Sequence, residues 1–129
     1  MSLEGVVMAG EDVSMSDSIL TSIKKQLNID SDYHAFDSDI ILLINSAFAA
    51  LNQMGVGPDA GFAISDDSET WDAFISDSRL NMVFQEVYLR VRLVFDPPNG
   101  SVLSSMDATL KELDWRLTVA AEEVKSNAE

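Results

Sequence analysis

Residues 79–95, RLNMVFQEVYLRVRLVF, carry the pattern that decides the fold. Leu80, Val83, Phe84, Val87, Tyr88, Val91, Val94 and Phe95 recur three and four residues apart, the spacing of one helix face. Met82, Leu89 and Leu93 add apolar groups on other faces, leaving Asn81, Gln85, Glu86, Arg90 and Arg92 as the plainly polar residues of the middle. A helix this apolar is central, with neighbours on several sides. It stops at Asp96-Pro97-Pro98-Asn99-Gly100, because proline biases its predecessor away from helix and two in a row enforce the break.

Downstream, residues 101–125 form one long helical pattern. Leu103, Met106, Leu110, Leu113, Leu117, Ala120 and Val124 are spaced alternately three and four apart, a heptad seam. Trp115 and Val119 lie off it. At 1.5 Å per residue the helix is about 37 Å long, so it spans the domain or projects from it. Residues 126–129 are expected to fray.

Upstream, Asp37 is expected to cap a helix with Ile40, Ile41, Leu43, Ile44, Ala47, Phe48, Leu51 and Met54 as its apolar stripe, ending at Gly55. An earlier helix starts near Ser16 or Asp17 and runs to about Leu27, with Ser16 as its cap and Lys24 and Lys25 in its last turns, where cations favour the helix dipole. Residues 55–68, GVGPDAGFAISDDS, form a Gly/Asp-rich loop with room for a short extended piece at 62–64. A brief helix follows from Glu69 to about Ile75, capped by Ser68. Residues 1–15 have no sustained period and are expected to be a mobile N-terminal arm. The expected fold is all-α: a small bundle of about four main helices plus a short one in a single domain, 16–125, with a long C-terminal helix.

The chain has 129 residues, 22 Asp+Glu against 8 Lys+Arg, and a net charge of −14. A basic nucleic-acid-binding surface and docking on an anionic membrane are both disfavoured. With 47% apolar residues it is no acidic disordered tail. No apolar window is long enough for a transmembrane helix, and the N-terminus has no secretory pattern. The absence of cysteine excludes disulfides and thiolate chemistry. The acidity is uneven: residues 1–77 hold 14 acids and 2 bases, net −12, and residues 78–129 hold 8 acids and 6 bases, net −2.

Positive signs of chemistry are scarce. Asp30-Ser31-Asp32-Tyr33-His34-Ala35 begins like a calcium loop, but an EF-hand needs Gly where Ala35 stands and Glu where Ile41 stands. Asp66, Asp67, Glu69 and Asp72 have the character of a divalent-ion cluster, yet acids before a helix more often serve its N-terminus. His34 is the only histidine, with no nucleophile elbow; Gly55-Val56-Gly57-Pro58 is no dinucleotide fingerprint. The expectation is no enzyme, no metal and no cofactor. Three features remain. Arg90 and Arg92 sit in the most apolar helix, where Glu86, four residues before Arg90, is a natural partner. Trp115 lies off the seam. The seam itself reads as an intramolecular bundle contact.

The ordered pieces LTSIKKQLNID, FDSDIILLINSAFAALNQMGVGP, TWDAFI, VYLRVRLVFDPPNGS and LDWRLTVAAEE resemble the small head–tail connector (adaptor) proteins of tailed bacteriophages and prophages. Val87 to Pro98 followed by Leu113 to Leu117 carries the strongest likeness, and Asn45 to Pro58 a second. The resemblance spans about residues 17–123 and contains no catalytic motif.

It implies a structural virion neck protein, assembled in the bacterial cytoplasm. Such a protein forms a ring of about a dozen copies on a portal protein through a head-to-tail interface. The ring extends the DNA channel and offers a docking surface to the next head-completion or tail protein. DNA passes without sequence-specific binding. On that reading Trp71, Arg90, Arg92, Trp115, Arg116 and Val119 are candidate interface residues. Gly57, Pro58, Phe62 and Val124 are candidates for portal or neck docking, and Asp66, Asp67, Glu69 and Asp72 for a channel wall that repels phosphate. The alternative is a small acidic helical interaction module, a regulator or chaperone with no phage role.

Overall fold

A computed structural model describes residues 13–128; most of the expected arm, residues 1–12, lies outside the described residues. Five helices follow in order: α1 (Ile19–Gln26), α2 (Asp37–Gln53), α3 (Trp71–Phe74), α4 (Leu80–Phe95) and α5 (Gly100–Ala128). The described residues are all-α, with one isolated antiparallel bridge between Ser18 and Thr70. That bridge seats the approach to α1 beside the approach to α3. The Ile19 amide donates to the Glu69 carbonyl, the Trp71 amide to Asp17 and the Asp72 amide to Met15. Val13 and Met15, assigned by sequence to the arm, pack against the core.

The caps differ in detail from expectation. Ser18, two residues after Ser16, caps α1: its Oγ accepts from the Thr21 amide at 3.2 Å. Asp37 does not cap α2, because it is the first helical residue and its carboxylate turns to Lys24 and His34. Ser68 does not cap α3; its amide and hydroxyl both donate to Asp66. The expected extended piece at 62–64 is not a strand. Ile64 is held by the Asn45 side chain on α2, which accepts from its amide at 2.8 Å and donates to its carbonyl at 3.0 Å.

α4 is the centre, packing on both α2 and α5. Val83, Val87 and Val91 are fully buried on its inner face, against Ile40, Ile44, Phe48 and Leu51 of α2 and Leu117 of α5. Trp71 closes the other end of the core. It is 0% exposed, its ring packs edge-on to Phe48 and Phe84, and its Nε1 donates to Ser22 Oγ at 2.9 Å. Gly57 lies under Phe74 with φ +91°; a Cβ there would stand 2.3 Å from Phe74 Cε1.

The heptad seam of α5 is buried only in part. Leu113, Leu117 and Ala121 are buried, four apart, while Leu103 and Val124 are exposed. Ala121 is buried and the expected Ala120 only half-buried. The ends are bare because α4, 16 residues and about 24 Å, is far shorter than α5, 29 residues and about 44 Å. The long helix therefore both spans the bundle and projects beyond it.

Candidate functional site

An ionic contact joins α5 to α4 beside the buried Leu113 and Leu117. Arg90 Nε donates to Glu86 Oε2 at 2.6 Å, and its Nη2 reaches both Asp114 oxygens at 3.0 and 3.1 Å. The i to i+4 partnership of Glu86 and Arg90 was legible in the sequence; Asp114, from the other helix, was not. Glu86 is fully buried and its Oε1 has no partner. Burial pushes its carboxyl up to about 8; Asp114 adds to this and Arg90 opposes it. Arg90 and Asp114 stand opposite each other on antiparallel helices, so Phe95 at the end of α4 falls level with about residue 109. The first three turns of α5 lie beyond that point, and there Val102 and Leu103 are exposed.

A groove of about 230 Å³ lies between α2 and α5, floored by α4. Leu43, Ser46 and Ala47 form one wall and Leu110 the other; Arg90, Leu93 and Val94 make the floor. Val94 follows Val83, Val87 and Val91 along the core-facing line of α4, yet it is 67% exposed. No helix among the described residues covers it. On the far side of α5, Trp115 is also 67% exposed.

The other sequence-derived interface residues are scattered. Trp71, expected at an interface, is wholly inside: a short helix between two loops had to present its large ring to the core. Arg92 donates to the Tyr88 hydroxyl at 3.0 Å and to the Asp96 carbonyl, closing the end of α4. Arg116 pairs with Glu112 at 2.6 Å on the exposed face of α5. Val119 is half-buried beside Glu122 and Glu123.

Of the docking candidates, Gly57 and Val124 line one open groove of about 830 Å³ between the C-terminal half of α5 and residues 53–59 and 72–79. Phe62 turns inward onto Phe48 and Phe74, with ring centroids 5.1 and 5.3 Å away. The Pro58 carbonyl accepts from the Gly61 amide and from Asn52 Nδ2, bracing the loop.

The acids before α3 organise that loop. Glu69 accepts from the amides of Ser65 and Asp66; hydrogen bonds from Ser68 hold the Asp66 carboxyl below its ordinary range. Thr70 donates to Asp72, and Asp67 is exposed. Among the described residues no three His, Cys, Asp or Glu side chains are grouped to hold a metal ion.

Sequence reasoning missed Lys24. It is 2% exposed, pairs with Asp37 at 2.7 Å and donates to the carbonyls of Tyr33 at 2.7 Å and Ser31 at 3.3 Å, tying the 28–36 loop to α1 and α2. Lys24 holds the Asp37 carboxyl below its ordinary range. The available signal was the position of Lys24 beside Ile23 and Leu27, on the apolar side of α1.

A family model described as "Phage connector protein" matches residues 19–124. The chain belongs to the phage connector protein family. The match begins at the first residue of α1 and ends at Val124, so the five described helices of this connector, except the last turn of α5, fall inside it. No curated protein and no solved structure matches significantly. Membership gives the chain a connector role in the phage neck and implies contact with other head or tail proteins. No helix among the described residues is long and apolar enough to cross a membrane.

Proposed function

We propose that this connector is a structural head–tail adaptor without enzymatic activity, assembling as a ring of about a dozen copies on a portal protein. The ring extends the DNA channel and receives the next head-completion or tail protein. The observation that carries this reading is family membership over residues 19–124. The two-sided character of α5 supports it: Leu113, Leu117 and Ala121 face the core, while Val102, Leu103 and Trp115 are left for neighbours. Gly57 and Val124, with Pro58 and Phe62 behind them, border the docking groove for the portal or next neck protein.

The charge division supports an acidic channel wall. A surface of Asp66, Asp67, Glu69 and Asp72 facing the duplex repels phosphate, so DNA slides without being gripped. Co-expression with the portal protein of the same phage tests the assembly, with a stable complex and ring-shaped particles by electron microscopy as the expected result. A connector that stays apart from portal and tail proteins under those conditions overturns it. A ring whose lumen is neutral or basic removes the channel assignment alone.

A further inference from the structure

We propose that Trp115 of one copy seats in the groove between α2, α4 and α5 of the next copy. This rests on the connector reading for the existence of self-assembly and adds where the copies meet.

The two features lie on opposite sides of α5. Leu110 faces the groove with the seam, whereas Trp115, five residues on, faces away. One copy therefore cannot fill its own groove with its own indole. A knob in one place and a pocket in another make a head-to-tail contact, the kind that closes into a ring or grows into a filament.

Size fits a side chain. At about 230 Å³ the groove is below the ~300 Å³ at which small-molecule pockets begin. Its lining of Leu43, Leu93, Val94 and Leu110 suits an aromatic ring, and Trp is enriched among residues that anchor interfaces.

Charge also fits. Copies carrying −14 each repel, so contact costs least where charge is balanced. Trp115 and most of the groove belong to residues 78–129, which sum to −2. One turn from the lining residues stand Asp39 on α2 and Asp107 and Asp114 on α5, and the only cation in the floor, Arg90, is already held by two carboxylates. Glu112 stands one turn before Trp115 and Asp114 next to it, and Lys111 and Arg116 flank it. Both are in exposed pairs, Lys111 with Asp107 and Arg116 with Glu112, which contribute little and are free to re-pair across an interface.

The chain has no cysteine, so introduced thiols are unambiguous. The test combines Ser46→Cys, in the groove wall, with Glu112→Cys, one turn before Trp115, and treats full-length assembled protein with a short bis-maleimide. The double variant is expected to give a ladder of covalent trimers and higher species, whereas each single variant stops at a dimer. Trp115→Ala and Ser46→Arg, both at exposed positions, are expected to keep the wild-type circular dichroism and weaken self-association at least about tenfold by sedimentation. Assembly that survives both substitutions, or occurs with no ladder, overturns the inference while leaving the connector reading intact. Complete absence of self-association, alone or with portal protein, also overturns it. Loss of portal or tail-protein binding without loss of self-association assigns Trp115 to another partner and overturns it too. Failure of the wild-type chain to bind any head or tail protein instead overturns the connector reading.

Discussion

Arg90 on α4 holds Asp114 on α5 at 3.0 Å, and this bridge marks the register of the long helix against the short one. The same guanidinium contacts the buried Glu86 at 2.6 Å, and Asp114 raises the Glu86 carboxyl, so the register of α5 and the ionisation of a core carboxyl are coupled. Shifting α5 by one turn would leave Asp114 without its partner. The exposed first turns of α5 are a consequence of that register.

Glu86 makes stability pH-dependent in an unusual direction. Its folded carboxyl titrates near 8, above its ordinary 4.5, so between those values the native state holds a proton that the unfolded chain releases. Its contribution to stability is full below about pH 4.5 and is lost as pH rises through 8. Thermal melts of the wild type are expected to fall in Tm from pH 5 to 8, whereas Glu86→Gln stays flatter over that range. Asp114→Asn removes a carboxylate that raises the Glu86 value, so it is expected to move the wild-type decline to lower pH. Parallel decline in all three proteins would show that Glu86 is not responsible.

Lys24→Met is expected to cost about 2 kcal/mol in urea unfolding, less than the 3–5 typical of a fully buried pair because Asp37 is partly open to water. It also leaves the carbonyls of Ser31 and Tyr33 without their donor. Limited proteolysis should then cut first within residues 28–36. Asp37 adds a separate acid-side effect: its lowered carboxyl contributes stability above its ordinary value of 3.8, lost as pH falls through the folded one. Wild type should therefore weaken below about pH 4 more than Asp37→Asn does.

Gly57→Ala is expected to destabilise by more than about 1 kcal/mol, for two independent reasons. The φ of +91° is unfavourable for any residue with a Cβ, and that Cβ would sit 2.3 Å from the Phe74 ring. Gly61→Ala has the same sign of φ, at +93°, but open space around it, so it reports the backbone cost alone. A difference between the two Tm values measures the Phe74 clash; equal values would remove it.

Helix identity was legible because the apolar period of residues 80–95 and the Pro97-Pro98 break are local signals. Both survive in α4 and in the Asp96 C-cap. Cap choice was not, because Asp37 and Ser68 each had a stronger tertiary or turn partner than a helix amide. Trp71 and Lys24 exchanged their expected places for a related reason. Burial is decided by what the neighbouring helices leave open, and a lysine can go inside when a carboxylate and two carbonyls meet it. The groove was invisible in the sequence, since Val94 and Leu110 lie on ordinary core lines. In the fold Val94 is 67% exposed and Leu110 only half-buried, because α2 and α5 flank α4 at that level without closing over it, and no local pattern reports the spacing of helices distant in sequence.

Self-association should respond to salt with the sign set by the net charge. Copies at −14 repel over the whole molecule, and only a few groups near Trp115 and the groove attract. Raising salt from ~0.1 M to ~1 M shortens the Debye length from ~10 to ~3 Å, which screens the long-range repulsion far more than contacts at the interface. Sedimentation is therefore expected to show larger assemblies at high salt. Trp115→Ala should lose that gain, because the apolar contact that remains after screening is the one it removes. Assemblies that shrink as salt rises would mean that the copies are held chiefly by opposite charges, with Arg92 and Arg116 as the first residues to reverse.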